Sequence, residues 1–510
     1  LLEITLLLAA AVFLALWIRR RRLPLTVVLA VSGFIAAWLG GQLEIIGPLR
    51  GEAFKEVVIF LFLPILVFDA VLAASTREFL RNLVPIVALA TVALAIAAVL
   101  VGTVLHVELG VPVAAALLFG VLISATDPVA VVAVFRDVGV PQRLLTLVEG
   151  ESLLNDGVAI VGYELLLAAA LTGSVSILGG IGEFTLVFFG GALVGLVVGT
   201  AAALVLPYLE ALPTAALTLA VAYGTFVMAE TIFGFSGVMA TVAAGLVIGG
   251  MIPSRASESV RELLQTMWAV LAYIANALLF LFVGLVIRPD LIGDNLQAIG
   301  VALAAVLVAR PLAVVPIVSL LERVAHIPHV GQRNAAVLVW GGLRGGVALA
   351  LALALPEALP ERDMFIAMAG GVVLGMLILN ATTIEALVHY LGLSRPTKAE
   401  QFLTAGATLL GVEAARETLD ELNFSDAIVD ARLDVVEQQA SDIFDRINLT
   451  SDEVVEIMTL QGLRIERETY QRLSDAGLLP PMATRTLIQE IDDELDELSV
   501  GLFDADAARR

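Results

Sequence analysis

Ser152, Asn155 and Asp156 occur at i, i+3 and i+4 within Val148-Glu149-Gly150-Glu151-Ser152-Leu153-Leu154-Asn155-Asp156-Gly157. On an α-helix these spacings bring side chains onto one face, so a hydroxyl, an amide oxygen and a carboxylate converge. Such a donor set suits a small hard cation, which on losing its water needs several oxygen ligands and at least one negative charge. The run around them is apolar, and an ionised side chain at a bilayer centre costs about 2.5–3.5 kcal/mol on the insertion scale. A carboxylate retained at that cost is expected to work, and Asp156 is read as an ion-binding carboxylate.

A second stretch, Ala125-Thr126-Asp127-Pro128, interrupts another apolar run. Pro128 lacks a backbone N–H, which frees carbonyls such as that of Thr126 to point into a cavity. Asp127 then stands beside exposed helix ends, where its charge offsets a partial positive dipole. A comparable interruption far along the chain is Gly341-Gly342-Leu343-Arg344-Gly345-Gly346. Arg344 and Arg310 are the two basic residues placed inside the membrane, and each needs a counter-charge. Glu151, on the flank of the Asp156 face, is the expected partner of Arg344 in a buried ion pair. Arg310 is expected against the C-terminal ends of half-helices, where a cation is favoured, with snorkelling to an interface as the alternative for both arginines. Asp69, in Phe62-Leu63-Pro64-Ile65-Leu66-Val67-Phe68-Asp69-Ala70, is a further acid within a span. It either gates or ligates the ion, or lines the cavity without touching it. His106, His326, His329 and His389 fall at span ends or loops without metal-ligand spacing, and surface roles are expected for them.

The elements that must carry these residues are membrane spans. The chain is 59 % hydrophobic and 15 % charged over 510 residues, a membrane profile. Thirteen apolar spans are predicted, at roughly 1–18, 24–40, 57–74, 83–105, 112–135, 144–170, 181–206, 214–232, 237–252, 263–287, 296–321, 334–356 and 364–391. The first is followed, not preceded, by Arg19–Arg22, so a retained helix is expected in place of a cleaved signal peptide. Arg19–Arg22, Arg77, Arg81, Arg136, Arg143, Arg255, Arg261, Arg323 and Arg333 fall on one side, against Arg50, Lys55, Arg288 and Arg362 on the other. The arginine-rich side is expected in the cytoplasm, with the N-terminus outside and the C-terminal tail inside. The two interrupted spans, the fifth and the twelfth, are an odd number of spans apart and so run in opposite directions. Spans 1–6 and 8–13 would then form an inverted repeat whose broken helices cross around an ion site near the midplane.

Residues 1–394 are thus read as a transmembrane domain and 395–510 as an acidic cytoplasmic domain of short helices, expected to be regulatory because every ligand candidate lies before it. From Thr397 onward, 25 acidic and 10 basic residues hold most of the net charge of −21. That charge argues against nucleic acid or an anionic lipid surface as the main partner. Cysteine is absent, which excludes disulfides, thiolate metal sites and cysteine nucleophiles. No enzymatic constellation and no cofactor are expected beyond the transported ions.

With these residues in place, the chain resembles the monovalent cation:proton antiporter-1 family and, within it, the NhaP-type sodium/proton exchangers. The matching stretches are Phe62 to Ala70, Ser124 to Val132, Gly150 to Gly157, Ala309 to Ala313 and Trp340 to Leu351. The resemblance implies a homodimer in the cell membrane, each protomer having a dimerisation part and a six-helix core that moves against it. It implies that Asp156 is the ion and proton carboxylate, with Ser152 and the Thr126 carbonyl as further sodium ligands. It makes Asn155 the neutral member of an Asn-Asp pair, Asp127 the crossover acid, and Glu151 with Arg344 a stabilising pair. Archaeal members usually have glutamate at the place of Asp69 and animal members aspartate, which leaves direct ion contact by Asp69 open. The expected function is exchange of sodium, or lithium, for a proton, electroneutral at one for one. The alternatives are potassium/proton exchange and a membrane sensor or scaffold that transports nothing.

Overall fold

The computed structural model describes residues 24–39, 52–140, 142–172, 177–255, 258–324, 331–393, 398–421, 427–447, 450–475 and parts of 478–494. Among the described residues all regular structure is helical. The chain divides into two compact units, Leu1–Leu393 and Ser394–Arg510.

In the first unit the helices of eight residues or more are α1 (Leu25–Leu39), α2 (Leu63–Ala73), α3 (Leu94–Leu109), α4 (Val113–Ser124), α5 (Val129–Val138), α6 (Gln142–Thr172) and α7 (Ile177–Val205). They continue with α8 (Ala211–Val227), α9 (Gly237–Arg255), α10 (Glu258–Val286), α11 (Leu296–Val324), α12 (Gly331–Trp340), α13 (Gly346–Leu353) and α14 (Arg362–Tyr390). Helix thus lies at the positions of the predicted spans from the second onward, while the predicted span at 1–18 lies outside the described residues. Among the described residues, 8 helical stretches are long and apolar enough to cross a membrane. The outer faces agree with a lipid surround. On α7, Leu186, Phe189, Leu193 and Val197 are exposed at helical spacing, an apolar stripe that water would not tolerate but lipid does.

Because lipid is as apolar as a leucine core, these helices associate through close backbone approach and small residues. Gly191, Gly195 and Gly199 form such a seam on α7. A Cβ on Gly191 or Gly195 would overlap the carbonyl oxygen of Ser236 or Ala240, and one on Gly199 would stand 2.7 Å from the Cα of Ala244. On α10, Gly284 fits against the Ala30 carbonyl of α1 in the same way.

The packing sorts these helices into two groups. Helices α1, α2, α7, α8, α9 and α10 pack mainly on one another, as do α3, α4, α5, α6, α11, α12, α13 and α14. In chain order the groups alternate: α1–α2, then α3–α6, then α7–α10, then α11–α14. Helix α6 also packs on α9 and joins the two groups.

Two helices of the second group are broken. After α4 the chain is non-helical over residues 125–128 before α5, and after α12 it is irregular over residues 341–345 before α13. Pro128 explains the first break, since it cannot donate to the carbonyl of Ser124 four residues earlier and its ring would clash there. Glycine explains the approach of the second to the first. A Cβ on Gly345 would overlap Asp127, and one on Gly342 would lie 2.6 Å from Nε of Arg310.

The second unit contains α15 (Lys398–Glu421), α16 (Ala427–Arg446) and α17 (Ser451–Asp475). These helices of 24, 20 and 25 residues are longer than the short ones predicted. Apolar and ionic contacts along their length sustain them. Phe402 meets Phe444 edge-on at 4.8 Å, and Arg416 of α15 donates to Asp434 and Glu437 of α16 at 2.7 Å each. The acidic run from Ile488 to Leu498 lies largely outside the described residues.

Candidate functional site

The site forms where the two breaks meet beside α6. The Asp127 N–H donates to the Leu343 carbonyl at 2.9 Å, tying one irregular segment to the other. Asp127 then turns its own carboxylate back to accept from the Val129 N–H two residues on at 3.0 Å, a local bond at the start of α5. A negative charge at that helix N-terminus also meets the favourable end of the dipole.

The two arginines close the opposite helix ends. The Ser124 carbonyl, left without a donor by Pro128, accepts from Nη1 of Arg344 at 3.0 Å. The Leu338 carbonyl, in the last turn of α12, accepts from Nη2 of Arg310 at 3.1 Å, and the Trp340 carbonyl accepts from the Asn380 amide at 2.8 Å. Both broken helices therefore present their C-terminal carbonyls to buried cations, 7 % exposed for Arg310 and 1 % for Arg344.

The buried ion pair differs from the one expected. Glu151 is engaged by Arg310, whose Nη1 and Nη2 both donate to its carboxylate, the second at 2.9 Å. Arg344 is a neighbouring charge of both groups but spends its hydrogen bond on Ser124. The reason is geometric. Arg344 sits within the second break and points at the first, whereas Arg310 rises from the adjacent helix α11 with its planar fork toward α6, where bidentate pairing with a carboxylate is strongest.

Ser152, Asn155 and Thr126 come into direct contact. Oγ of Ser152 donates to the Thr126 carbonyl at 2.5 Å, and the Asn155 amide donates to Oγ1 of Thr126 at 2.5 Å. The Thr126 N–H points back at Oδ1 of Asn155, at 3.4 Å. All three residues are buried. Among the described residues Asp156, next along α6, makes no hydrogen bond or ion pair, and the charge it faces is the carboxylate of Asp127. The arrangement offers a carboxylate with free lone pairs beside a fixed set of hydroxyl and carbonyl oxygens, next to a break held open by arginines. It can bind a small cation or a proton at one place.

Asp69 lies on α2, in the other packing group. Its charged neighbours are Arg136 and Glu149, which pair with each other at 2.8 Å. Sequence reasoning missed Glu149 and Asn380. Both stand as polar residues inside apolar runs, the same signal that marked Asp156, and Glu149 precedes Ser152 and Asp156 by three and seven residues, a helical spacing that could have found it. Among the described residues no cluster of histidine, aspartate and glutamate of the kind that holds a resident metal occurs.

A bundle of long apolar helices with two broken helices meeting at buried carboxylates defines a membrane transporter for a small ion. The family comparison agrees: the model of the transmembrane sodium/hydrogen exchangers matches residues 6–390, and the chain belongs to that family as an NhaP-type cation:proton antiporter. It is 32 % identical over 491 residues to the low-affinity Na(+)/H(+) antiporter NhaS1 of Synechocystis, covering 90 % of this chain and 89 % of that one. It is 33 % identical to the Na(+)/H(+) antiporter NhaH of Halobacillus dabanensis, covering 68 % of this chain and 85 % of the relative. Among solved structures, the sodium proton antiporter MjNhaP1 of Methanocaldococcus jannaschii at pH 8 superposes with a TM-score of 0.61. It covers 76 % of this chain and 97 % of its own at 20 % identity, a likeness of fold.

Proposed function

We propose that this protein exchanges sodium for a proton, one for one, by alternating access, with lithium as a second cargo. The observation that carries this reading is the state of the charges at the break. Glu151 is neutralised by Arg310, Asp127 is committed to the α5 N-terminus, and Asn155 is neutral, which leaves Asp156 as the exchangeable carboxylate. Sodium would lie between Asp156, Ser152 Oγ and the Thr126 carbonyl, replacing the Ser152–Thr126 hydrogen bond by two oxygen–cation contacts. A proton on Asp156 would remove the charge that holds sodium, so the two ions compete. Asp69, with its neighbours Arg136 and Glu149, has a place on the access path and not in this ligand set.

The alternation of the two packing groups along the chain supports an inverted repeat, with the α3–α6 and α11–α14 group as the moving core. The other group supplies exposed apolar side chains, Leu186, Phe189, Leu193 and Val197 on α7 among them, suited to dimerisation within the cell membrane. The N-terminus outside and the acidic unit in the cytoplasm follow from the arginine distribution. Residues 395–510 are read as regulatory.

The test is cation-induced proton flux in liposomes holding the purified protein, with sodium, lithium and potassium supplied in turn. Flux with sodium and lithium is expected. Flux with potassium alone would replace this reading by potassium/proton exchange, and none with any cation would favour a sensor or scaffold.

A further inference from the structure

Glu149 stands seven residues before Asp156 on α6, about 10 Å along the helix axis at 1.5 Å per residue. Its side chain is 9 % exposed and accepts from Nη2 of Arg136 on α5 at 2.8 Å, while the Arg136 side chain is 54 % exposed. The charge of Arg136 also acts on Asp69 of α2, and that of Asp69 on Glu149. Helices α5 and α6 pack in one group and α2 in the other. The cluster therefore spans the seam along which the two groups must slide if the site is to open alternately.

We propose that Arg136 is a gate on its side of the ion path, a tethered cation held between Glu149 and Asp69 that an incoming sodium ion must displace. This rests on the exchange reading above. On this reading a cation reaching Asp156 from the Glu149 end of α6 passes two carboxylates and one guanidinium. Glu149 is fixed by burial on a rigid helix, whereas Arg136 has a long flexible stem and a half-solvated head, so the guanidinium is the partner that moves. With Arg136 in place, one of the two negative charges is offset and the acidic pair draws sodium more weakly. With Arg136 swung into water, two carboxylates face the path and raise the local cation concentration. Because Asp69 belongs to the other helix group, sliding of the groups changes how firmly Arg136 is held and couples the gate to the conformational cycle.

The test measures the sodium KM of the full-length protein in right-side-out and everted vesicles, so that sodium meets each face separately. The variants are Arg136→Gln, Arg136→Lys and Glu149→Gln. Arg136→Gln is expected to lower the sodium KM several-fold from the Arg136 side and leave the opposite side unchanged, the gain shrinking at high choline salt. Arg136→Lys keeps the tethered charge and should restore the wild-type KM, and Glu149→Gln should raise it from the same side. A KM that stays put, or moves equally from both faces, in active Arg136→Gln and Glu149→Gln proteins would overturn the gate and show a merely structural pair. Failure of the wild type to exchange at all would instead overturn the transport reading.

Discussion

Asp156 is surrounded by polar groups already committed elsewhere, and its chemistry follows from that. Ser152 and Asn155 are held by Thr126, and Glu151 by Arg310, so a change at Asp156 alters the exchanged charge without releasing the scaffold. Asp156→Asn keeps size and shape. It is expected to abolish sodium-driven proton flux while leaving the thermal melting of the detergent-solubilised protein within a few degrees of wild type, and normal flux in a folded variant would remove Asp156 from the mechanism. Competition at one carboxylate also fixes the sign of the pH dependence. Protons occupy Asp156 as pH falls, so the apparent sodium KM should rise with acidity, by up to about tenfold per unit where the proton form dominates, with maximal rate at saturating sodium little changed. Flux titrations at several pH values check this, and a KM independent of pH would mean that the two ions bind at separate groups. The convergence of Ser152, Asn155 and Asp156 was legible because helical spacing alone puts them on one face. Their contact with Thr126 depends on how a second, broken helix approaches α6, which no local spacing encodes.

At the scale of elements, the two breaks make the site, and buried cations keep them open. Arg310→Ala would leave Glu151 buried without its partner, a change that typically costs about 3–5 kcal/mol. Arg344→Ala would leave the Ser124 carbonyl unsatisfied, at about 1–3 kcal/mol. Thermal melts of the two variants in the same detergent should therefore show the larger loss for Arg310→Ala, and the reverse order would contradict the pairing described here. The positions of the breaks were legible from Pro128 and the glycines at 341, 342, 345 and 346, because a missing donor and missing Cβ atoms act locally. The ion-pair partner was not. Arg310 and Arg344 are both isolated arginines in apolar surroundings, and the choice between them turns on the rotation of α11 and the direction of the 341–345 segment. The tail shows a related limit: short helices were expected there, but the Phe402–Phe444 and Arg416 contacts made by the longer ones link residues distant in sequence.

For the whole molecule, every residue of the proposed ion site lies within the first unit. Removing the residues after Ser394 is expected to leave sodium/proton exchange in place and to alter its pH profile or activation. Complete loss of flux in a correctly inserted truncation would show that the acidic unit takes part in transport itself. The central claim is that one carboxylate carries either a sodium ion or a proton, so the core crosses the membrane with the same charge in both directions. A membrane potential acts on net charge moved, at about 2.3 kcal/mol per charge per 100 mV, and a one-for-one cycle gives it nothing to act on. The most direct measurement is sodium-driven proton flux in proteoliposomes under potassium-diffusion potentials of either sign set with valinomycin. The account predicts nearly equal rates at both signs and no steady sodium-dependent current. A several-fold change of rate with the sign of the potential, or a sustained current, would contradict it and require a second carboxylate to carry protons.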